Sequence, residues 1–267
     1  MVTESTALHR ESVGAGPPIV LAHGFSGSAR NWRPQVRALR NRHRVVTYDL
    51  RGHARSPAPH DAEALYTLDA FVEDVDRLLD EEAIERPVLG GLSLGAAVML
   101  GHALAHPTRS RGLVLASLPA GPDRAGAFRG RAEDLASALE REGSDAAGAR
   151  FVWGPDSGLD ARGAALVRQG FLEHDPLGLA QVLRGVLREV GGLLDAVVDS
   201  GATLTMPVLL IVGEQDAGSL ESARRLAREL PQARLEVVPK AGHVVNLAAP
   251  GPVNELLLDF LASLPPG

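Results

Sequence analysis

Five short apolar runs, spaced by segments of helical pattern, most constrain what this chain can fold into: Ile19 to Ala22, Val45 to Tyr48, Pro87 to Gly90, Gly112 to Ser117 and Pro207 to Val212, with Arg234 to Val238 reading as one further strand. An apolar run without polar alternation suits a strand covered on both faces, as in parallel sheets with helices above and below. The intervening segments supply those helices. From Thr67 onward, Leu68, Phe71, Val72, Val75, Leu78 and Leu79 recur at helical spacing, with Glu73, Asp74, Asp76 and Asp80 on the other face. Asn31 to Leu39, Leu94 to Ala105, Ser219 to Leu230 and Val253 to Leu264 read as further helices, and Leu8 to Val13 as a short edge strand before Gly14-Ala15-Gly16. Strand and helix in alternation imply right-handed crossovers and an α/β domain with a mostly parallel sheet.

The alternation breaks once. Between Pro119 and about Thr205, Arg, Ala, Gly and Asp dominate and no Val/Ile-rich strand appears. Arg131 to Arg141 and Leu177 to Val190 can be helices, so this stretch reads as a mainly helical cap over the C-terminal edge of the sheet. The expected organisation is a core from residues 1–118 and 206–267 with a cap insertion at 119–205.

Length and composition fit one large domain with an insertion: 267 residues, 45% hydrophobic. The formal charge of -6, from 27 basic and 33 acidic residues that are interspersed, offers no footprint for nucleic acid or an anionic membrane. A small neutral or mildly polar substrate is the expected partner. There is no cysteine, which excludes disulfides, a thiolate nucleophile and cysteine-ligated zinc. Met1 to Glu11 lacks the apolar run of a secretory signal, and no run approaches the ~20 apolar residues of a membrane span, so the expected location is the cytoplasm.

Gly91-Leu92-Ser93-Leu94-Gly95 lies between a strand and a helix. Glycines two places either side of a serine permit a sharp strand-to-helix turn that lifts the hydroxyl into a cleft above the helix N-terminus. A serine hydroxyl needs a base, and the base an acid that fixes its tautomer. Beyond His102 and His106, which lie on the helix leaving the elbow, the downstream histidines are His174, inside the insertion, and His243, on a loop after a strand; His243 is the stronger base candidate. Gly213-Glu214-Gln215-Asp216 also follows a strand; Asp216 is the preferred acid, with Glu214 as fallback. Acyl transfer also requires donors for a developing oxyanion, for which the backbone amides of Phe25 and Leu94 are the candidates.

With these residues in order, the chain resembles the α/β-hydrolase superfamily, in its compact single-domain esterase, lactonase and carbon-carbon bond hydrolase branch. His23-Gly24-Phe25, Asp49-Leu50-Arg51-Gly52-His53 with Ser56, the Ser93 elbow, Asp216 and Gly242-His243 carry the resemblance over most of the chain. It implies a catalytic triad of Ser93, Asp216 and His243 and no cofactor or metal. Two departures stand out: Ala54 where relatives commonly have glycine, and Ala248 where a glutamate often stands. The serine at the elbow argues against the dehalogenase and epoxide hydrolase branches, which use aspartate there.

Asp49, Arg51, His23 and His53 read as structural loop residues. Phe128, Phe151, Trp153 and Phe171 in the insertion, with Val244 beside His243, are candidate linings of an acyl pocket. The expected activity is cofactor-independent serine hydrolysis of a small carboxylic ester or lactone. The alternatives are carbon-carbon bond hydrolysis or a menaquinone-pathway-like lyase reaction on the same triad, or a ligand receptor of low turnover.

Overall fold

The computed structural model describes residues 7–60, 63–119, 125–155, 161–199 and 204–265. The apolar runs become strands β2 (Pro18–Ala22), β3 (Arg44–Tyr48), β4 (Val88–Leu92), β5 (Gly112–Ala116) and β6 (Val208–Gly213), and the further strand becomes β7 (Ala233–Val238). They lie parallel, and β1 (Arg10–Val13) adds antiparallel to β3 at one edge, giving the order β1-β3-β2-β4-β5-β6-β7.

The pleat divides each strand between two cores. Val20, Ala22, Leu89, Leu113, Leu115, Leu210 and Val212 face one, with α2 (Leu68–Glu81), α3 (Leu94–Ala105) and α9 (Ala217–Glu229) against it. Ile19, Leu21, Val88, Val114, Leu209 and Ile211 face the other, which α1 (Arg33–Leu39) and α11 (Pro250–Ser263) cover. Both faces being buried is why β2 to β6 read as apolar runs, whereas β7, at the sheet edge, keeps Arg234 and Glu236 and is only partly buried. Local signals set the helix ends: Thr67 caps α2 by accepting the Ala70 amide at 3.2 Å, and Pro34 and Pro250 sit in the first turns of α1 and α11.

Between β5 and β6 the described residues are helical: α4 (Ala125–Phe151), bent at Gly143, α5 (Ala161–Phe171), α6 (Pro176–Arg184), α7 (Val186–Glu189) and α8 (Leu193–Asp199). Ala136, Leu139, Phe171, Leu179, Val182 and Val197 bury their side chains in continuity with the larger core. After β2 the chain passes to β3 on one side of it and then to β4 on the other. The C-terminal ends of β2 and β4 therefore flank the point where strand order reverses, where a crevice opens in sheets of this kind.

Candidate active site

Ser93 joins β4 to α3 at φ 52°, ψ −114°, a left-handed backbone rare for a residue with a side chain. Neighbouring strands hold it there. Its amide donates to the Ala116 carbonyl at 2.9 Å, and its own carbonyl accepts from Ala97 at 3.0 Å. The flanking glycines are required by close approach: a Cβ on Gly91 would lie 2.2 Å from the Gly95 carbonyl carbon, and one on Gly95 2.4 Å from the Ala22 carbonyl oxygen. The elbow is thus wedged against the end of β2.

His243 arrives on the loop after β7, and its Nε2 lies 2.9 Å from Ser93 Oγ. Its Nδ1 lies 2.6 Å from Asp216 Oδ2. With an acceptor carboxylate at Nδ1, the proton sits on that nitrogen, leaving Nε2 free to accept from the serine hydroxyl. Asp216 follows β6 and serves twice, because its Oδ1 also accepts the Ser219 amide at 3.4 Å and caps α9. Burial pushes the Asp216 carboxyl up, but hydrogen bonds from His243 and Ser219 outweigh it and hold the group below its ordinary value. Glu214, the fallback acid, instead accepts the Lys240 amide at 2.9 Å.

The histidine loop is anchored by buried polar residues that sequence patterning did not single out. Gln35 donates to the Asn246 carbonyl at 3.1 Å, and Asn246 donates to the Asn31 carbonyl at 3.0 Å, tying the short helix α10 (Val245–Ala248) to α1 and the turn before it. Both side chains are fully buried. The position of Ala248 is therefore supported from Gln35 and Asn246.

Asp49 and Arg51 are engaged in scaffolding. Asp49 accepts from the Ala29 amide at 2.7 Å and from Arg55 Nε at 2.9 Å, bracing the loop after β2 against that after β3. Arg51 forms a two-point pair with Asp74, at 2.9 and 2.7 Å. His23 accepts the Leu50 amide at Nε2 (2.9 Å) and directs Nδ1 to the Gly24 carbonyl (2.7 Å). Burial pushes it down to about 4, so it is neutral. His53 packs edge-on to His23 and to Phe25, with centroids 5.1 and 5.8 Å apart.

Leu94 is the first residue of α3, so its amide has no partner within the helix. Phe25 lies in the tight turn closed by the Gly27 amide on the Gly24 carbonyl at 3.0 Å. Of the residues nominated for a pocket, Phe171 is buried and meets Trp153 edge-on at 5.5 Å, within the helical segment's own core. Phe151 is 38% exposed beneath the Arg150 guanidinium, and Val244 is exposed beside His243. The Phe128 side chain lies outside the described residues.

Elsewhere Asp76, His102 and His106 bring potential ligand atoms within 4.8 Å of one another. Arg109 already bonds Asp76 at 2.9 Å, and its fixed positive charge opposes a divalent ion at that carboxylate. The trio fits an ion-pair network better than a metal centre.

A model of the alpha/beta hydrolase family matches residues 19–256. The chain belongs to that family. Among relatives of this alpha/beta hydrolase is a Pseudomonas savastanoi protein provisionally named carbamate hydrolase RutD, 33% identical over 95% of this chain and 97% of the relative. A Bacillus subtilis protein provisionally named 2-succinyl-6-hydroxy-2,4-cyclohexadiene-1-carboxylate synthase is 29% identical over 97% of this chain and 95% of its own. The chain is also similar to the solved structure of a thermophilic esterase from Thermogutta terrifontis, with a TM-score of 0.82 and 28% identity over 96% of this chain and 93% of that one. Among the described residues no helix is long and apolar enough to cross a membrane.

Proposed function

We propose that this alpha/beta hydrolase cleaves a small carboxylic ester or lactone through an acyl-enzyme on Ser93. The observation that carries the reading is the unbroken contact chain from Ser93 Oγ through His243 to Asp216. Ser93 Oγ attacks the carbonyl carbon while His243 Nε2 takes its proton, and Asp216 stabilises the resulting imidazolium. The Phe25 and Leu94 amides receive the oxyanion. The protonated His243 then returns its proton to the departing alkoxide, or to the ring oxygen of a lactone, which stays tethered as the acyl chain's hydroxyl. Water deprotonated by His243 attacks the acyl-enzyme, and the carboxylic acid leaves with Ser93 restored. These steps call on no cofactor, and the similarity to an esterase supports the substrate class.

Hydrolysis of short p-nitrophenyl esters and of lactones by the wild type and by Ser93→Ala tests this. Loss of about 10³-fold or more in kcat is expected; equal rates would sink the mechanism. The relative named as a cyclohexadiene carboxylate synthase favours a second reading, a lyase or carbon-carbon cleavage on the same residues. Turnover of acidic diketones or succinyl-cyclohexene carboxylates, with esters and lactones inert, would select it.

A further inference from the structure

Three consecutive residues between α5 and α6 reach from the helical segment to the loops beside Ser93. Glu173 takes Arg30 with both carboxylate oxygens at 2.8 Å, Asp175 meets His60 at 2.9 Å, and His174 lies between them, 5% exposed. Its Nδ1 accepts the Ala54 amide at 2.8 Å, and its Nε2 donates to the Ser26 carbonyl at 2.9 Å. The Ala54 amide can only donate, so the tautomer is fixed with the proton on Nε2. The ring also packs edge-on to His53 at 5.5 Å, and His53 in turn to Phe25.

Both backbone groups that His174 grips belong to residues in left-handed conformation: Ser26 at φ 53° and Ala54 at φ 45°. Side-chain-bearing residues adopt that conformation at an energetic cost and keep it only where the surroundings enforce it. Ala54 stands where a glycine would relax the turn, which makes the bond to its amide the more important. Ser26 and Phe25 are the two central residues of the turn closed by the Gly27 amide on the Gly24 carbonyl, so a hold on the Ser26 carbonyl restrains the turn that also carries the Phe25 amide.

We propose that His174 is a positioning residue for the oxyanion site: by holding the Ser26 carbonyl it fixes the turn that aims the Phe25 amide beside Ser93. The inference rests on the hydrolase mechanism proposed above. It also makes the helical segment a part of the reaction machinery, since loss of this contact lowers the chemical step without removing any group that touches substrate.

Two variants separate the bonds. His174→Gln places an amide nitrogen near the Nε2 position and keeps the Ser26 bond; His174→Asn keeps an acceptor for Ala54 and is too short for Ser26. With saturating ester, Asn is expected to lower kcat about 10- to 100-fold while KM changes little, and Gln to recover most of that loss. Should His174→Asn fold poorly, Ala54→Gly relieves the left-handed strain, and in that background kcat of the Asn variant is expected to stay low while stability returns. Equal kcat in the Asn and Gln variants, or wild-type kcat in Asn, overturns the positioning role. Wild-type turnover and fluorophosphonate labelling of Ser93 report separately on the mechanism; a wild type inert in both assays overturns both proposals.

Discussion

Asp216 meets His243 at 2.6 Å through Oδ2 while its other oxygen caps α9 at the Ser219 amide, so one carboxylate joins the site's electrostatics to the start of a helix. The two tasks separate by substitution. Asparagine is as good a cap as aspartate but cannot stabilise an imidazolium, and it permits the wrong tautomer. Asp216→Asn is expected to reduce kcat about 10⁴-fold with little change in stability. Asp216→Ala should lose activity similarly and a further ~1 kcal/mol of stability with the cap. Ester kinetics beside urea unfolding of both variants checks this; equal stability loss in both would refute the capping role.

The elbow glycines give a second expectation. A methyl group on Gly95 collides with the Ala22 and His23 carbonyl oxygens, at 2.4 and 2.5 Å, and these belong to the end of β2, which cannot retreat without breaking the sheet. Gly95→Ala should cost about 3 kcal/mol or more, or abolish soluble expression. Gly170 in α5 has open space around its Cβ position. Gly170→Ala is expected to stabilise by ~0.5–1 kcal/mol through helix propensity. Thermal melts of the pair should move in opposite directions.

The elements readable from sequence were those whose environment is uniform along their length. Strands buried on both faces leave apolar runs, and α2, half exposed, leaves a period; α5, α8 and the four-residue α10 leave neither. In the helical segment small residues such as Ala136, Ala138 and Ala147 do the packing and give a weak signal. Ser93, Asp216 and His243 were legible because glycine turns and strand ends mark them locally. Gln35 and Asn246 meet from positions 211 apart, and His174 reaches Ser26 across 148, so nothing in their neighbourhoods announces those contacts. The departure at Ala54 pointed to its loop, but only the φ of 45° and the His174 bond show how alanine is accommodated there.

Acid should weaken the fold well above the carboxylate range. His23 and His102 are pushed down to about 4, and His53 and His174 are also lowered, in each case chiefly by burial. Asp49 and Glu173 beside His174, and Asp76 beside His102, offset only part of that effect. Below the ordinary value of 6.5 the unfolded chain takes up protons that the folded chain refuses. Stability is therefore full above that pH and falls as pH drops toward 4, by up to about 1.4 kcal/mol per pH unit for His23 and for His102, with His53 and His174 adding in the same direction. Asp49 and Asp216, held below the usual carboxylate value, extend the loss further into acid. Urea midpoints at pH 7.5, 6 and 5 are expected to decline steadily; a constant midpoint would contradict the neutral buried histidines.

Arg51 and Asp74 form a pair only 4% and 2% exposed, with Arg51 also donating to the Leu65 carbonyl at 3.2 Å. Taking both ions out of water is costly, and the two-point geometry offsets that cost only while both partners are present. Arg51→Leu leaves a buried carboxylate whose remaining cation is Arg77, itself 40% exposed and a poor substitute. A loss of about 3 kcal/mol is expected. Because Arg51 is bound to α2 and the turn before it, kcat per folded molecule should stay at the wild-type value. Arg51→Leu combined with Asp74→Leu removes the stranded charge and should recover part of the lost stability, since an apolar pair of similar volume avoids the desolvation altogether. Chemical denaturation of the single and double variants, with ester turnover measured on each, separates the outcomes. A double variant less stable than Arg51→Leu would mean that the ion pair contributes more than its own compensation, and a fall in kcat would place Arg51 in the reaction.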